Sequence, residues 1–131
     1  MDISFDDVKK KFGHKAKMYS QDKKMTKELL EEAIKKANKK GPLEEIWDNL
    51  QLLFGILRDW ISGNYKDVPV GSIIAIIIGL LYFVSPIDII PDFVPGGLVD
   101  DVVVLGLIIR QVKSDLDKYK EWLDENKSTR I

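Results

Sequence analysis

The apolar segment 70–84 constrains the fold more than any other part of the chain, because none of its fifteen residues is charged. A helix that is apolar on every face must be surrounded by protein or by lipid. The length of the segment favours a helix over a strand. The uncharged stretch extends over residues 68–87, and its twenty residues are the minimum for crossing a bilayer core of about 30 Å. The segment is therefore interpreted as a buried central helix or as a marginal membrane segment.

A second apolar stretch, 102–109, follows after a connection rich in proline and aspartate, which predicts a helical hairpin with a distinctive tip. Ser85 is placed to cap a short helix that begins with Pro86. The later prolines and glycines predict an interruption and then a tight reversal of the chain. The structural motif of this tip consists of Ser85, Pro86, Pro91, Pro95, Gly96 and Gly97.

Four aspartates stand in or beside this tip, at Asp88, Asp92, Asp100 and Asp101. Carboxylates are costly among apolar groups unless something pairs, solvates or coordinates them. The preferred interpretation is that each one caps a helix or interacts with a helix dipole. The alternative is a divalent-metal or proton-binding site, since Mg²⁺ and Ca²⁺ take hard oxygen ligands. The spacing matches no EF-hand loop, so we expect no resident cofactor and keep the divalent metal as the alternative.

Small residues recur at four-residue intervals within the central segment, at Gly71, Ala75 and Gly79. Such a ridge lets a second helix approach closely. We interpret it as a helix-contact ridge, and a homodimer formed through it is one possible use.

The segments around the hairpin predict further helices. Residues 1–24 read as a polar lead with weak periodicity, in which the spacing of Phe5, Val8 and Phe12 allows a short amphipathic turn. Thr26 is the predicted N-cap of a peripheral, lysine-rich helix over 26–39. The amphipathic pattern of 43–61 predicts a helix that packs on the hairpin. A single continuous helix is predicted from about residue 98 to residue 123. Its seam of apolar positions consists of Val102, Leu105, Ile109, Val112, Leu116, Tyr119 and Leu123.

Composition and charge narrow the class of protein. The chain has 131 residues, 45% of them apolar and 31% charged, which excludes both a disordered chain and a polytopic membrane protein. With no cysteine and only His14, thiol chemistry and multi-histidine metal sites are excluded. Residues 1–40 carry twelve basic against seven acidic side chains. Because the two signs are interspersed, the preferred interpretation is a solvated, lysine-rich helix, and a basic face for an anionic membrane surface is the alternative. We expect no nucleic-acid partner, because this stretch lacks a recognised fold signature and has few aromatics to stack on bases.

The stretch from Tyr82 to Gly106 resembles a known family. Its ordered set of Pro86, Asp88, Pro91, Asp92, Asp100 and Asp101 is similar to the signature of the YkvA-like family, domain of unknown function 1232, over roughly residues 65–110. The resemblance implies a small helical, often membrane-associated bacterial or archaeal protein, and no assigned activity. The Gly96-Gly97 pair departs from the family pattern.

These observations predict an all-α protein, a small helical bundle around a hydrophobic hairpin with a Pro/Asp-rich tip. We expect one domain over 1–131, with a lysine-rich N-terminal part (1–42) followed by the helix, hairpin and C-terminal arm (43–124). Membrane association is favoured over a soluble bundle, because so small a chain has little mass with which to enclose two apolar helices.

The predicted function is that of a non-enzymatic protein at the cytoplasmic face of the membrane, of the adaptor, stress or immunity type. It would act by contact with lipid or with a protein partner. The alternatives are the carboxylate-cluster site at the tip and a soluble cytoplasmic interaction module, either monomeric or dimeric. Hydrolysis by paired aspartates is disfavoured, because it needs a substrate cleft.

Overall fold

The computed structural model describes residues 5–39, 46–84 and 101–129, and within these ranges all regular structure is helical. The prediction of an all-α protein is confirmed. The helices are α1 (Phe5–Ser20), α2 (Lys23–Lys39), α3 (Trp47–Ser62), α4 (Val70–Val84), α5 (Asp101–Gln111) and α6 (Lys113–Thr129).

Helix α4 lies at the centre of the bundle and packs against α1, α2, α3 and α5. Because these neighbours bury most of it from Ile73 to Phe83, its apolar character there is satisfied by protein, whereas Val70 at its start is exposed. Its buried residues are Ile73, Ala75, Ile76, Ile77, Ile78, Gly79, Leu80, Leu81, Tyr82 and Phe83.

Helix α1 supplies cover that the sequence did not reveal. Residues 5–20 were expected to be a polar lead, yet they form a helix whose Phe12 and Ala16 are buried. The ring of Phe12 meets that of Tyr82 edge to face, with centroids 6.3 Å apart. Helix α1 thus covers part of the central helix, which the expectation based on chain size did not take into account.

Helix α2 begins earlier than predicted, and Asp22 caps it in place of Thr26. The Asp22 carboxylate accepts hydrogen bonds from the backbone N–H groups of Lys24 and Met25, at 3.0 and 3.1 Å. Thr26 is fully buried, and its hydroxyl donates to the carbonyl oxygen of Tyr19 at 2.5 Å. Thr26, which lies one turn inside α2, thus links this helix to the end of α1.

The apolar stripe of α2 faces inward, and the helix packs against α3 and α4 as well as α1. Its buried residues are Leu29, Leu30, Ala33 and Ala37. Helix α3 ends where the sequence predicts, at Gly63, whose φ of 84° is the left-handed conformation that favours glycine. Residues 43–45, included in the predicted helix, lie outside the described residues.

The predicted continuous C-terminal helix is wrong, because the chain breaks at Val112 into α5 and α6. The carbonyl oxygen of Val112 accepts from the N–H groups of both Asp115 and Leu116, each at 3.0 Å, which tightens this turn. The apolar seam persists through the break, since Leu105, Ile109, Val112, Leu116 and Tyr119 are all buried.

Candidate functional site

The aspartate-bearing tip lies outside the part of the chain that the structure describes. This holds for Asp88, Asp92 and Asp100 and for the tip motif of Ser85, Pro86, Pro91, Pro95, Gly96 and Gly97. Asp101 is the first residue of α5, and its side chain is not described. Among the described residues, no three histidine, aspartate or glutamate side chains gather as a metal site would require. Convergence of the four aspartates on a cation stays a prediction.

Where the chain enters the tip, a lysine from another helix holds the last turn of α4. The Nζ atom of Lys36 donates a hydrogen bond of 2.6 Å to the carbonyl oxygen of Phe83. The same ammonium lies 5.3 Å from the centre of the Phe83 ring. A cation is favourable at a helix C-terminus, where the free carbonyls carry partial negative charge. Sequence reasoning missed Lys36, because its partner lies 47 residues away along the chain.

The residues of the helix-contact ridge have different surroundings in the fold. A Cβ atom at Gly79 would lie 2.8 Å from Cγ1 of Ile108, so α5 approaches α4 closely at this point. Ala75 is buried, whereas a Cβ at Gly71 would meet nothing within 4 Å. Gly71 and Ala75 line an open cleft of about 300 Å³ at the start of α4. The Gly79 end of the ridge is thus in close contact with α5, whereas Gly71 at the other end is open.

Helix α6 is anchored by hydroxyl–carboxylate hydrogen bonds. Tyr119 donates to Asp59 on α3, and Ser72 on α4 donates to Asp115 on α6. Burial, followed by the hydrogen bond to Asp59, raises the pKa of Tyr119 far above the ordinary tyrosine value of 10.0. Because its hydroxyl keeps its proton at neutral pH, it serves as a hydrogen-bond donor and not as a base.

An aromatic cluster surrounds this anchor. The rings of Tyr65 and Tyr119 lie 5.1 Å apart, and Trp122 stacks on Tyr119 with centroids 5.8 Å apart. Burial and the neighbouring charges of Asp67 and Asp115 raise the pKa of Tyr65. A Cβ at Gly55 would lie 2.8 Å from the Tyr119 hydroxyl, so this glycine admits the ring. The cluster is packed, and it accounts for the docking of α6.

The outer surfaces of α1 and α2 form a lysine-rich face. This name is used for the exposed Lys9, Lys10, Lys15, Lys17, Lys24 and Lys35. Lys23 and Lys27 are also exposed, and so are the acidic side chains of Asp6, Glu28, Glu31 and Glu32 on the same two helices and of the capping Asp22. In the part of the chain that the structure describes, none of these ammonium groups makes an ion pair with a carboxylate. Met18 is 54% exposed on this face. It follows Lys15 by three residues and His14 by four, so it lies beside both on the helix.

Across residues 5–39, 46–84 and 101–129, no helix has both the length and the apolar character that crossing a membrane requires. The fifteen residues of α4 span about 22 Å at the usual helical rise of about 1.5 Å per residue.

Comparison with known proteins decides the family. A family model described as a protein of unknown function, DUF1232, matches residues 72–107, which run from α4 into α5. The uncharacterized membrane protein YkvA of Bacillus subtilis (strain 168) is 38% identical over 90 residues, which are 68% of this chain and 81% of that protein. The chain belongs to the YkvA-like family. The predicted resemblance is thereby confirmed, and no solved structure matches the chain significantly.

Proposed function

We propose that the protein is a membrane-associated helical protein whose lysine-rich face binds the surface of an anionic membrane. The observation that carries this proposal is the set of exposed lysines on α1 and α2 without carboxylate partners among the described residues. The printed name of the Bacillus relative, an uncharacterized membrane protein, supports the same setting.

The expected strength of binding follows from the charges. Each basic side chain near an anionic leaflet contributes about 1 kcal/mol at low salt, so Lys10 and Lys17, seven residues apart and hence on one side of α1, would contribute about 2 kcal/mol. This contribution falls off within a Debye length of about 10 Å at 0.1 M salt. Met18, exposed beside Lys15 and His14, adds an apolar contact. Binding should therefore be reversible and sensitive to salt.

Peripheral binding suits the fold better than insertion of the hairpin. Exposing α4 to lipid would require its separation from α1, α2, α3 and α5, whose side chains now bury it. The intact bundle would instead rest on the cytoplasmic leaflet, which carries anionic lipid. In this account the protein acts by contact with lipid, or with a protein held at the same surface, and catalyses no reaction.

Vesicle sedimentation tests the proposal with a matched pair of triple variants. Lys10→Glu/Lys15→Glu/Lys17→Glu reverses three charges on the lysine-rich face. Arg110→Glu/Lys118→Glu/Lys120→Glu makes the same change of net charge at exposed positions of α5 and α6.

The native protein should sediment with phosphatidylglycerol-containing vesicles at low salt and stay in solution with pure phosphatidylcholine. The α1 variant should lose this binding, whereas the α5–α6 variant should keep most of it. Equal loss in both variants would mean that net charge alone drives binding, and the proposed face would be wrong.

A further inference from the structure

An apolar cleft of about 410 Å³ lies between α2 and α3. Leu30 forms its buried floor, and the half-buried Ile34 and Ile61 form its walls. Its exposed rim carries Lys27 and Glu31 from α2 and Arg58 from α3. We propose that this cleft binds a medium-length fatty acid, with the alkyl chain against the isoleucines and the carboxylate near the rim cations.

The size of the cleft fits a single alkyl chain. Ligand sites in proteins usually occupy about 300–1,000 Å³, so this volume lies near the lower end. The cleft is open along one side, so an alkyl chain would lie in it with one side against the apolar residues. From Lys27 to Ile34 the helix axis advances about 10 Å, which an extended chain of similar length can follow.

The charges at the rim favour an anionic head group. Lys27 and Arg58 stand on the two helices that flank the cleft, and within the described residues neither makes an ion pair. Glu31, one turn from Lys27, reduces the net charge of the rim to +1 and disfavours a carboxylate on its own side. The complementary ligand is therefore apolar along most of its length and negatively charged at one end.

A protein partner fits this cleft less well than a small amphiphile. A stable protein–protein interface uses about 20–30 residues from each side and buries about 800 Å² of each partner. The cleft offers a few side chains along two turns of α2, which is the scale of a lipid-sized ligand. The inference differs from the proposed function, since it concerns a free ligand and residues outside the lysine-rich face.

Titration of the full chain with sodium decanoate, kept below its micelle concentration, tests the inference. Calorimetry should show saturable binding of one decanoate per chain, and backbone NMR shifts should concentrate in residues 27–34 and 58–62. Acetate, which lacks the tail, should not bind. Decyl maltoside, which lacks the charge, should bind at least five-fold more weakly at low salt.

Two variants separate the tail from the head group. Ile34→Trp fills the cleft without adding charge and should weaken decanoate binding at least ten-fold. Lys27→Glu/Arg58→Glu should weaken it at least five-fold at low salt, whereas Lys35→Glu on the same helix should leave it unchanged. Shifts spread over the whole surface, or native affinity in Ile34→Trp, would overturn the inference. Because the NMR map uses the native protein, the test survives a variant that fails to fold.

Discussion

The hydroxyl of Tyr119 on α6 donates a hydrogen bond to the carboxylate of Asp59 on α3, across 60 residues of sequence. The bond joins the C-terminal helix to the rest of the bundle. It stands beside the aromatic contact of Tyr119 with Tyr65, in which the rings lie 5.1 Å apart. The docking of α6 should depend in part on this hydroxyl, beside the bond from Ser72 to Asp115.

Removal of the hydroxyl with Tyr119→Phe should lower the free energy of unfolding. Hydrogen bonds to charged groups are worth about 1.5–3 kcal/mol, and the partial exposure of Asp59 places the expected loss near the lower end, about 1–2 kcal/mol. Urea denaturation measures the loss. Tyr19→Phe, at a half-buried position on α1, is the control and should change the free energy by less than about 0.5 kcal/mol.

The stability of the protein should fall at alkaline pH, and Tyr119 should contribute to the fall. Its folded pKa is raised above the ordinary value of 10.0, so above that pH the unfolded chain binds fewer protons than the folded one. The stabilisation is complete below pH 10 and is lost as the pH rises towards the folded pKa. Urea denaturation between pH 9 and 11 should show a shallower decline for Tyr119→Phe. A residual decline is expected from Tyr65, whose pKa is also raised. Identical slopes for the native protein and Tyr119→Phe would show that the surroundings of Tyr119 do not raise its pKa.

The two ends of the helix-contact ridge should respond in opposite ways to an added methyl group. At Gly79 the new Cβ would lie 2.8 Å from Ile108, and overpacking of this kind typically costs about 1–3 kcal/mol. At Gly71 the Cβ meets nothing within 4 Å, so Gly71→Ala should be neutral or stabilising, because alanine favours helix by up to about 1 kcal/mol. Thermal melts of both variants measure the difference. A Gly79→Ala variant as stable as Gly71→Ala would contradict the close packing of α4 against α5.

Replacement of Lys36 should loosen the end of α4 that leads into the tip. Lys36→Met keeps most of the apolar stem but removes the hydrogen bond to the carbonyl of Phe83 and the charge at the helix C-terminus. The expected loss of unfolding free energy is about 1 kcal/mol, the usual size of such an interaction. Lys35→Met, at an exposed neighbour, is the matched control and should have little effect. Equal losses in the two variants would assign the effect to helix propensity.

The sequence predicted the central helix closely, because its apolar residues leave no other solution over Val70–Val84. It missed α1, whose buried Phe12 and Ala16 are sparse among lysines and give a weak periodic signal. It also missed the break at Val112, since the apolar seam continues through it without proline or glycine.

The candidate sites also differ in how far the sequence alone predicts them. The lysine-rich face was visible as a surplus of basic residues in 1–40, because charge composition is a local property. The cleft between α2 and α3, the Tyr119–Asp59 bond and the Lys36 contact join residues far apart in the chain. Their partners follow from how the helices pack, so sequence periodicity alone does not predict them.

One fluorescence measurement tests the central claim most directly, which is that the intact bundle binds an anionic membrane through the lysine-rich face. The chain has no cysteine, so a single environment-sensitive fluorophore can be placed at Met18→Cys on α1 or at Lys118→Cys on α6. With phosphatidylglycerol-containing vesicles at low salt, the emission of the Met18 probe should shift to the blue and return in high salt. The Lys118 probe should not change. A shift at Lys118 without one at Met18, or a shift at Met18 that persists in high salt, would contradict the account.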